Sequence, residues 1–462
     1  MHRTPMPTGV LAQLVAVPLV VLCFLAPASG AALNFTRHLL SNGAVVLVAE
    51  QRAVPMVVVQ ALVDAGSRRD PRGQEGVGAL TADLLTEGAG KRSAAEIGRE
   101  LDFLGARIDS SADVDSATVS LVTLRRHFDR AFELFVDILT RPTFPESEVK
   151  RRREAALAAI RAEEDNPGAL AQRKFLELVF GPTPYGHPPI GRAEAVGALT
   201  RAQIVSFYRR YYRPNGTIFV VTGDVDTAEV VSRLEAAFSH WKPQAVEEFA
   251  YPEVPVPASS VAVLEKPLTQ VNLVLGHRGV ARDNPDFYAI SVMNFILGGG
   301  GFTSRLVESV RVQGGLAYSV GSLFTASKSP GTFQVSLQTK APSLTDALSR
   351  VCRELQRIRT ELVTDEELSN AKLYLTGSFP LRLDSNTKIA AFLAQVEFFG
   401  LGADFIQAYP QRINAVTRED VLRVAQTSIR PDEFRLVVVG QADARALASA
   451  SPCLAEAPRA AP

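Results

Sequence analysis

The residues best suited to hold a metal or to act as base or nucleophile are six histidines and three cysteines. A helical metal site needs two ligands one turn apart, at i and i+4, so that both side chains leave the same face. His2, His38, His127, His187, His240 and His277 contain no such pair, and no Cys-x-x-Cys is present. No Gly-x-Ser-x-Gly turn raises a serine nucleophile. The run Gly298 to Gly301 lacks the Lys-Ser/Thr step of a phosphate-binding loop. It reads instead as a helix-ending turn that lets the next helix pack closely.

The elements that would position any site come from a chain of 462 residues, 47% hydrophobic and 21% charged, which is globular composition. Its 49 basic and 49 acidic residues cancel, so no long-range field draws nucleic acid or an anionic membrane. His2 and Arg3, the apolar stretch Val10 to Leu25, and small residues at Ala28, Ser29, Gly30 and Ala31 predict a signal peptide over residues 1–30. An uncleaved anchor helix is the alternative. The expected location is periplasmic or secreted, in a bacterium. After cleavage, Cys352 and Cys453 remain. One disulfide is arithmetically possible, but Cys352 lies in a helical pattern and Cys453 in an Ala/Pro-rich tail, which favours two free thiols.

A second pass shows a duplication. "YYRPNGTIFVVTGDVD" from Tyr211 is matched by "SIRPDEFRLVVVGQAD" from Ser428, each preceded by a helical stretch with a Thr-Arg start. Paired apolar strands open each half, as "GAVVLVAEQ" with "MVVVQALVDAG" and as "VAVLEK" with "VNLVLGHRG". "SATVSLVTL" and "GTFQVSLQT" alternate as internal strands do. "ESEVKRRREAALAAIRAEE" and "TDEELSNAKLYLTGSF" have helical patterns. The fold class is therefore α+β in two homologous repeats, each a mainly antiparallel sheet flanked by helices. We expect residues 31–240 and 260–446 to be the repeats, 241–259 a Pro-rich linker and 447–462 a disordered tail. Two such halves can face each other as a clam-like chamber.

The segments Val63–Gly88, "RAEEDNP", "FGPTPYGHPPIGRAEAVGALTRAQIVSFYRRYYRPN" and "GGGGFTSRLVESVRVQGGLAYSV" resemble, in order, motif regions of the insulinase/pitrilysin/mitochondrial processing peptidase family. The resemblance covers nearly all of the mature chain. In active members it implies an inverted zinc motif, His-x-x-Glu-His, whose histidines share one Zn²⁺ and whose Glu serves as general base. A distal Glu completes the site. This chain has Ala79 for the first His, Ala82 for the base, Asp83 for the second His and Ala159 for the distal Glu. A methyl group neither ligates nor takes a proton, so no metal is expected on this chain. His187, in the family's "YGHP" loop, reads as a packing residue.

The same resemblance gives Arg311 and Tyr318 the family's Arg-x6-Tyr role, binding substrate carbonyls and the developing oxyanion across the chamber. Arg supplies a charged fork and Tyr a phenol donor on a rigid ring. It thus implies a non-catalytic subunit of a periplasmic zinc-metallopeptidase heterodimer. The zinc would sit on a homologous partner, and an extended peptide would be the substrate, paired with an exposed strand edge. A structural or peptide-binding scaffold without a peptidase partner, and an autonomous peptidase with a displaced metal site, are the alternatives.

Overall fold

The structure is a computed structural model that describes residues 33–245, 247–252, 259–450 and Cys453. The expected signal peptide lies outside the described residues. The first half contributes β1 (Thr36–Leu39), β2 (Val45–Glu50), β3 (Met56–Val63), the short pair β4 (Gly88–Ala89) and β5 (Arg92–Ser93), β6 (Arg107–Ala112), β7 (Ala117–Leu124) and β8 (Thr217–Gly223). The second contributes β9 (Ser260–Leu264), β10 (Gln270–Arg278), β11 (Ala317–Phe324), β12 (Thr332–Lys340) and β13 (Arg435–Val439).

The first sheet runs β1-β2-β8-β3-β7-β6 and the second β11-β12-β10-β13-β9. Read from opposite ends, β2-β8-β3-β7-β6 and β9-β13-β10-β12-β11 are one topology made twice. Even the single parallel neighbour recurs, β2 with β8 and β9 with β13. β7 shows why such segments are strands. Ala117, Val119 and Leu121 are buried on one face, while Thr118, Ser120 and Val122 alternate onto the other. The repeated Thr-Arg starts are capping boxes. Thr200 and Thr417 each accept a backbone N–H from the third residue of the following helix, whose side chain returns to the cap.

Each sheet packs its own helices on one face and a helix of the other half on its second face. Ile389, Ala390 and Leu393 of helix Asn386–Phe398 lie with Leu47, Val58, Leu62 and Val220 of the first sheet. Reciprocally, Phe175 and Val179 of helix Pro167–Phe180 lie with Val274, Val437 and Val439 of the second. The halves are interlocked, because a sheet with two apolar faces cannot leave one of them to water.

Two expectations are corrected. Cys352 and Cys453 form a disulfide, not two free thiols, across a sequence separation of 101. The Ala-rich tail is helical over Ala444–Ala450, so order extends beyond residue 447. The interrepeat linker is also anchored in its first part. Trp241 packs on Phe219 and Phe238. Phe249 and Tyr251 lie on the guanidinium of Arg68, at 4.8 and 5.5 Å.

Candidate functional site

Helix Val77–Leu84 begins where Gly76 adopts φ 100, a conformation that suits glycine. Asp70 accepts the amide N–H groups of Gly76 (2.6 Å) and Gly78 (2.9 Å), satisfying donors that the first turn leaves open. Burial pushes the Asp70 carboxyl up to about 7, although both amides pull it down. A Cβ on Gly78 would stand 2.9 Å from an Asp70 oxygen, so the helix start is shaped around this carboxylate.

On this helix Ala82 is fully buried, Ala79 half-buried and Asp83 exposed. The helix packs against Glu146–Glu164, which carries exposed Ala159. The expected degenerate positions therefore fall on two contacting helices of the first half. Methyl groups stand at three of them.

The local cations are arginines. Glu87, buried just beyond the helix, accepts from Arg152 Nε at 2.8 Å and from Arg151. Burial raises the Glu87 carboxyl, and the two guanidiniums outweigh it and hold it below the usual carboxylate range. Asp83 is solvent-accessible yet surrounded by protein. Surrounding protein raises its carboxyl, with Glu87 adding to the rise and Arg152 opposing it. The buried Tyr212 hydroxyl has no hydrogen-bond partner among the described residues and is pushed upward, first by burial and then by Tyr208 and Asp83. Among the described residues no group of three or more His, Cys, Asp or Glu could hold a metal ion. At Ala82 the side chain is a methyl group, which cannot act as a base.

In the second half, Arg311 lies on the helical segment Val307–Gln313, and Gly315 at φ 60 turns the chain into β11. The β11–β12 register shifts between Ala317 and Ser319, leaving Tyr318 at a bulge on an edge strand. Tyr318 is 81% exposed. The Arg311 guanidinium sits 5.0 Å from the Tyr318 ring centroid and 4.7 Å from that of Phe302. The structure thus brings Arg311 and Tyr318 together at the surface. Phe302, Val312 and Leu323 are exposed apolar neighbours in sequence and strand. His187 is buried, and its ring contacts the Pro188 carbonyl, as expected of a packing residue.

Three features were missed. One is the arginine clamp on Glu87, for which the triplet Arg151-Arg152-Arg153 was a signal. Another is the knot around Arg68, Asp64 and Asp115. The third is a cavity of about 1270 Å³ between the halves, lined by none of the six expected positions.

Comparison with known proteins gives two family matches in chain order. Residues 45–191 match the description "Insulinase (Peptidase family M16)" and 198–375 "Peptidase M16 inactive domain". A protein of Streptomyces coelicolor described as an uncharacterized zinc protease is 30% identical over 370 residues, 78% of this chain and 80% of its own length. A Helicobacter pylori protein described as "Non-peptidase homolog YmxG" is 25% identical, covering 85% of this chain and 91% of its own. A solved structure from Pseudomonas fluorescens, described as a peptidase M16 inactive domain, superposes with a TM-score of 0.84 at 30% identity. It covers 89% of this chain and 99% of that one.

Proposed function

Because this chain belongs to the insulinase family of peptidases, family M16, we propose that it is the non-catalytic subunit of a zinc-peptidase heterodimer. The observation that carries this reading is a division within one chain. Three of the four zinc-site positions of the first half are alanine, the base among them, while the second half keeps an exposed Arg311–Tyr318 pair. In the proposed complex the His-x-x-Glu-His residues of a homologous partner would hold the zinc, which would supply an activated water for attack on the scissile carbonyl. Arg311 and Tyr318 donate to the carbonyl oxygen as negative charge develops on it. The exposed apolar groups around Arg311 suit contact with a partner. Edge strands β6 and β11 offer unpaired backbone to an extended peptide. A disulfide in the folded chain favours an oxidising compartment, which supports the periplasmic or secreted location.

The test is reconstitution. The purified chain alone hydrolyses no peptide, and mixing it with a zinc-motif relative from the same cell yields activity. Arg311→Ala lowers kcat of the mixture by roughly a hundred- to a thousandfold, the range for loss of one oxyanion donor. An unchanged rate removes the role given to the pair. If the chain copurifies only with proteins lacking the zinc motif, the scaffold reading replaces this one.

A further inference from the structure

We propose that the cavity between the halves is a carboxylate-recognising site for a short extended peptide, with Arg282 and Arg382 as its anion-binding pair. Its volume of about 1270 Å³ exceeds the roughly 300–1,000 Å³ of most small-molecule pockets. One wall belongs to the face of the first sheet that also meets helix Asn386–Phe398, and there Gln60, Thr118 and Ser120 present amide and hydroxyl groups. The facing wall, from the second half, is largely aromatic, with Phe287, Phe405 and Tyr409.

The two arginines are stacked on that aromatic wall. The Arg282 guanidinium lies 3.8 Å from the Phe287 ring centroid and 5.4 Å from that of Phe405. Arg382 lies 5.5 Å from Tyr409 and 5.8 Å from Phe379. Ring faces hold a planar cation and leave its N–H edges directed at an acceptor. Among the described residues neither arginine forms an ion pair with a carboxylate. Burial weakens the hold of Arg282 on its proton and Arg382 adds to this, while Tyr288 and Tyr409 oppose it.

The other charges lining the cavity are already engaged. Asp113 accepts the amides of Asp115 (2.9 Å) and Ser116 (2.8 Å), and Asp115 accepts from Tyr185 (2.9 Å). Asp109 pairs with Arg107 at 2.5 Å, and Lys388 with Asp384 at 2.8 Å. An incoming carboxylate would meet two forks of donors with no resident acid competing for them. The peptide class follows from β6. Asp109 and Ser111 of this strand line the cavity, and as a sheet edge it can accept an added strand.

The experiment passes a randomised pentapeptide pool over the immobilised chain, once as free acids and once as C-terminal amides, with retained peptides counted by mass spectrometry. The free-acid pool is expected to be retained at least tenfold better. Arg282→Gln and Arg382→Gln should each cut retention about tenfold or more, as loss of a charge-assisted contact does. If amides are retained according to their Asp and Glu content, and lose that preference in the same variants, the carboxylate recognised is a side chain's. Equal retention of both pools regardless of acidic content, unchanged retention in both variants, or no retention by the wild type overturns the proposal. Arg382 is exposed, so Arg382→Gln keeps the test decisive should Arg282→Gln fail to fold. No partner subunit is needed, so the outcome is separable from that of reconstitution.

Discussion

Arg68→Ala should destabilise the fold by about 3–5 kcal/mol, the cost of breaking a buried ion pair by removing one partner. The Arg68 side chain is 2% exposed and pairs with Asp64 and, at 3.7 Å, with Asp115. It also contacts the Tyr251 hydroxyl at 2.5 Å and lies over the rings of Phe249 and Tyr251. Its loss falls unequally on the two acids. Asp64 keeps Arg69 at 2.7 Å, whereas Asp115, 8% exposed, keeps only the Tyr185 hydroxyl as a polar side-chain partner among the described residues. The less compensated charge is therefore that of Asp115, which keeps only the longer-range attraction of Lys328 as counter-charge. In the Arg68→Ala background, Asp115→Asn should recover about 1–2 kcal/mol, because a neutral amide no longer needs a counter-ion. Urea denaturation followed by far-UV circular dichroism and by the fluorescence of Trp241, the single tryptophan, measures both quantities. A loss under about 1 kcal/mol, or a further loss on adding Asp115→Asn, refutes the charge argument. Because the knot ties linker residues to the first repeat, Arg68→Ala should also make the segment around Phe249 more accessible to protease.

Three further outcomes are expected. His277 is buried, its Nδ1 at 2.7 Å from the Arg278 carbonyl and its Nε2 accepting the Arg430 amide at 3.0 Å. Burial, then the charge of Arg430, hold it down at about 3, so the folded state resists a proton that the unfolded chain takes up near 6.5. Stability should thus fall by about 1.4 kcal/mol per pH unit between about 6.5 and 3 through this group, and His277→Gln should flatten the acid limb of a pH–stability profile. A slope unchanged in that variant would count against it. Cys453→Ser should cost about 2–4 kcal/mol, and reduction should have no effect in the variant, since the bridge closes a loop with a sequence separation of 101. Equal stability of oxidised wild type and variant would remove that contribution. The wild type should carry less than about 0.1 zinc per chain by plasma emission spectrometry. The quadruple change Ala79→His, Ala82→Glu, Asp83→His and Ala159→Glu should bring this close to one. Zinc retained by the wild type would overturn the account of the first half.

What the sequence determined by itself is whatever depends on residue type at a position. Methyl groups remove ligands at Ala79 and Ala159 and the base at Ala82 wherever the backbone goes, and the duplicated Arg-Pro-strand segments predict one topology made twice. The placement of β7 and β12 inside their sheets follows from period-two alternation, a local property. Tertiary structure alone decided what depends on residues far apart in the chain. The helix Asn386–Phe398 covers a sheet whose Val220 lies far upstream, and Cys352 finds Cys453 across 101 positions, because closing a long loop leaves no local pattern. The clamp on Glu87 and the Arg282–Arg382 wall have the same origin. A charge run in sequence shows that cations are present, and only the packed fold decides which of them meet an acid and which face an open cavity.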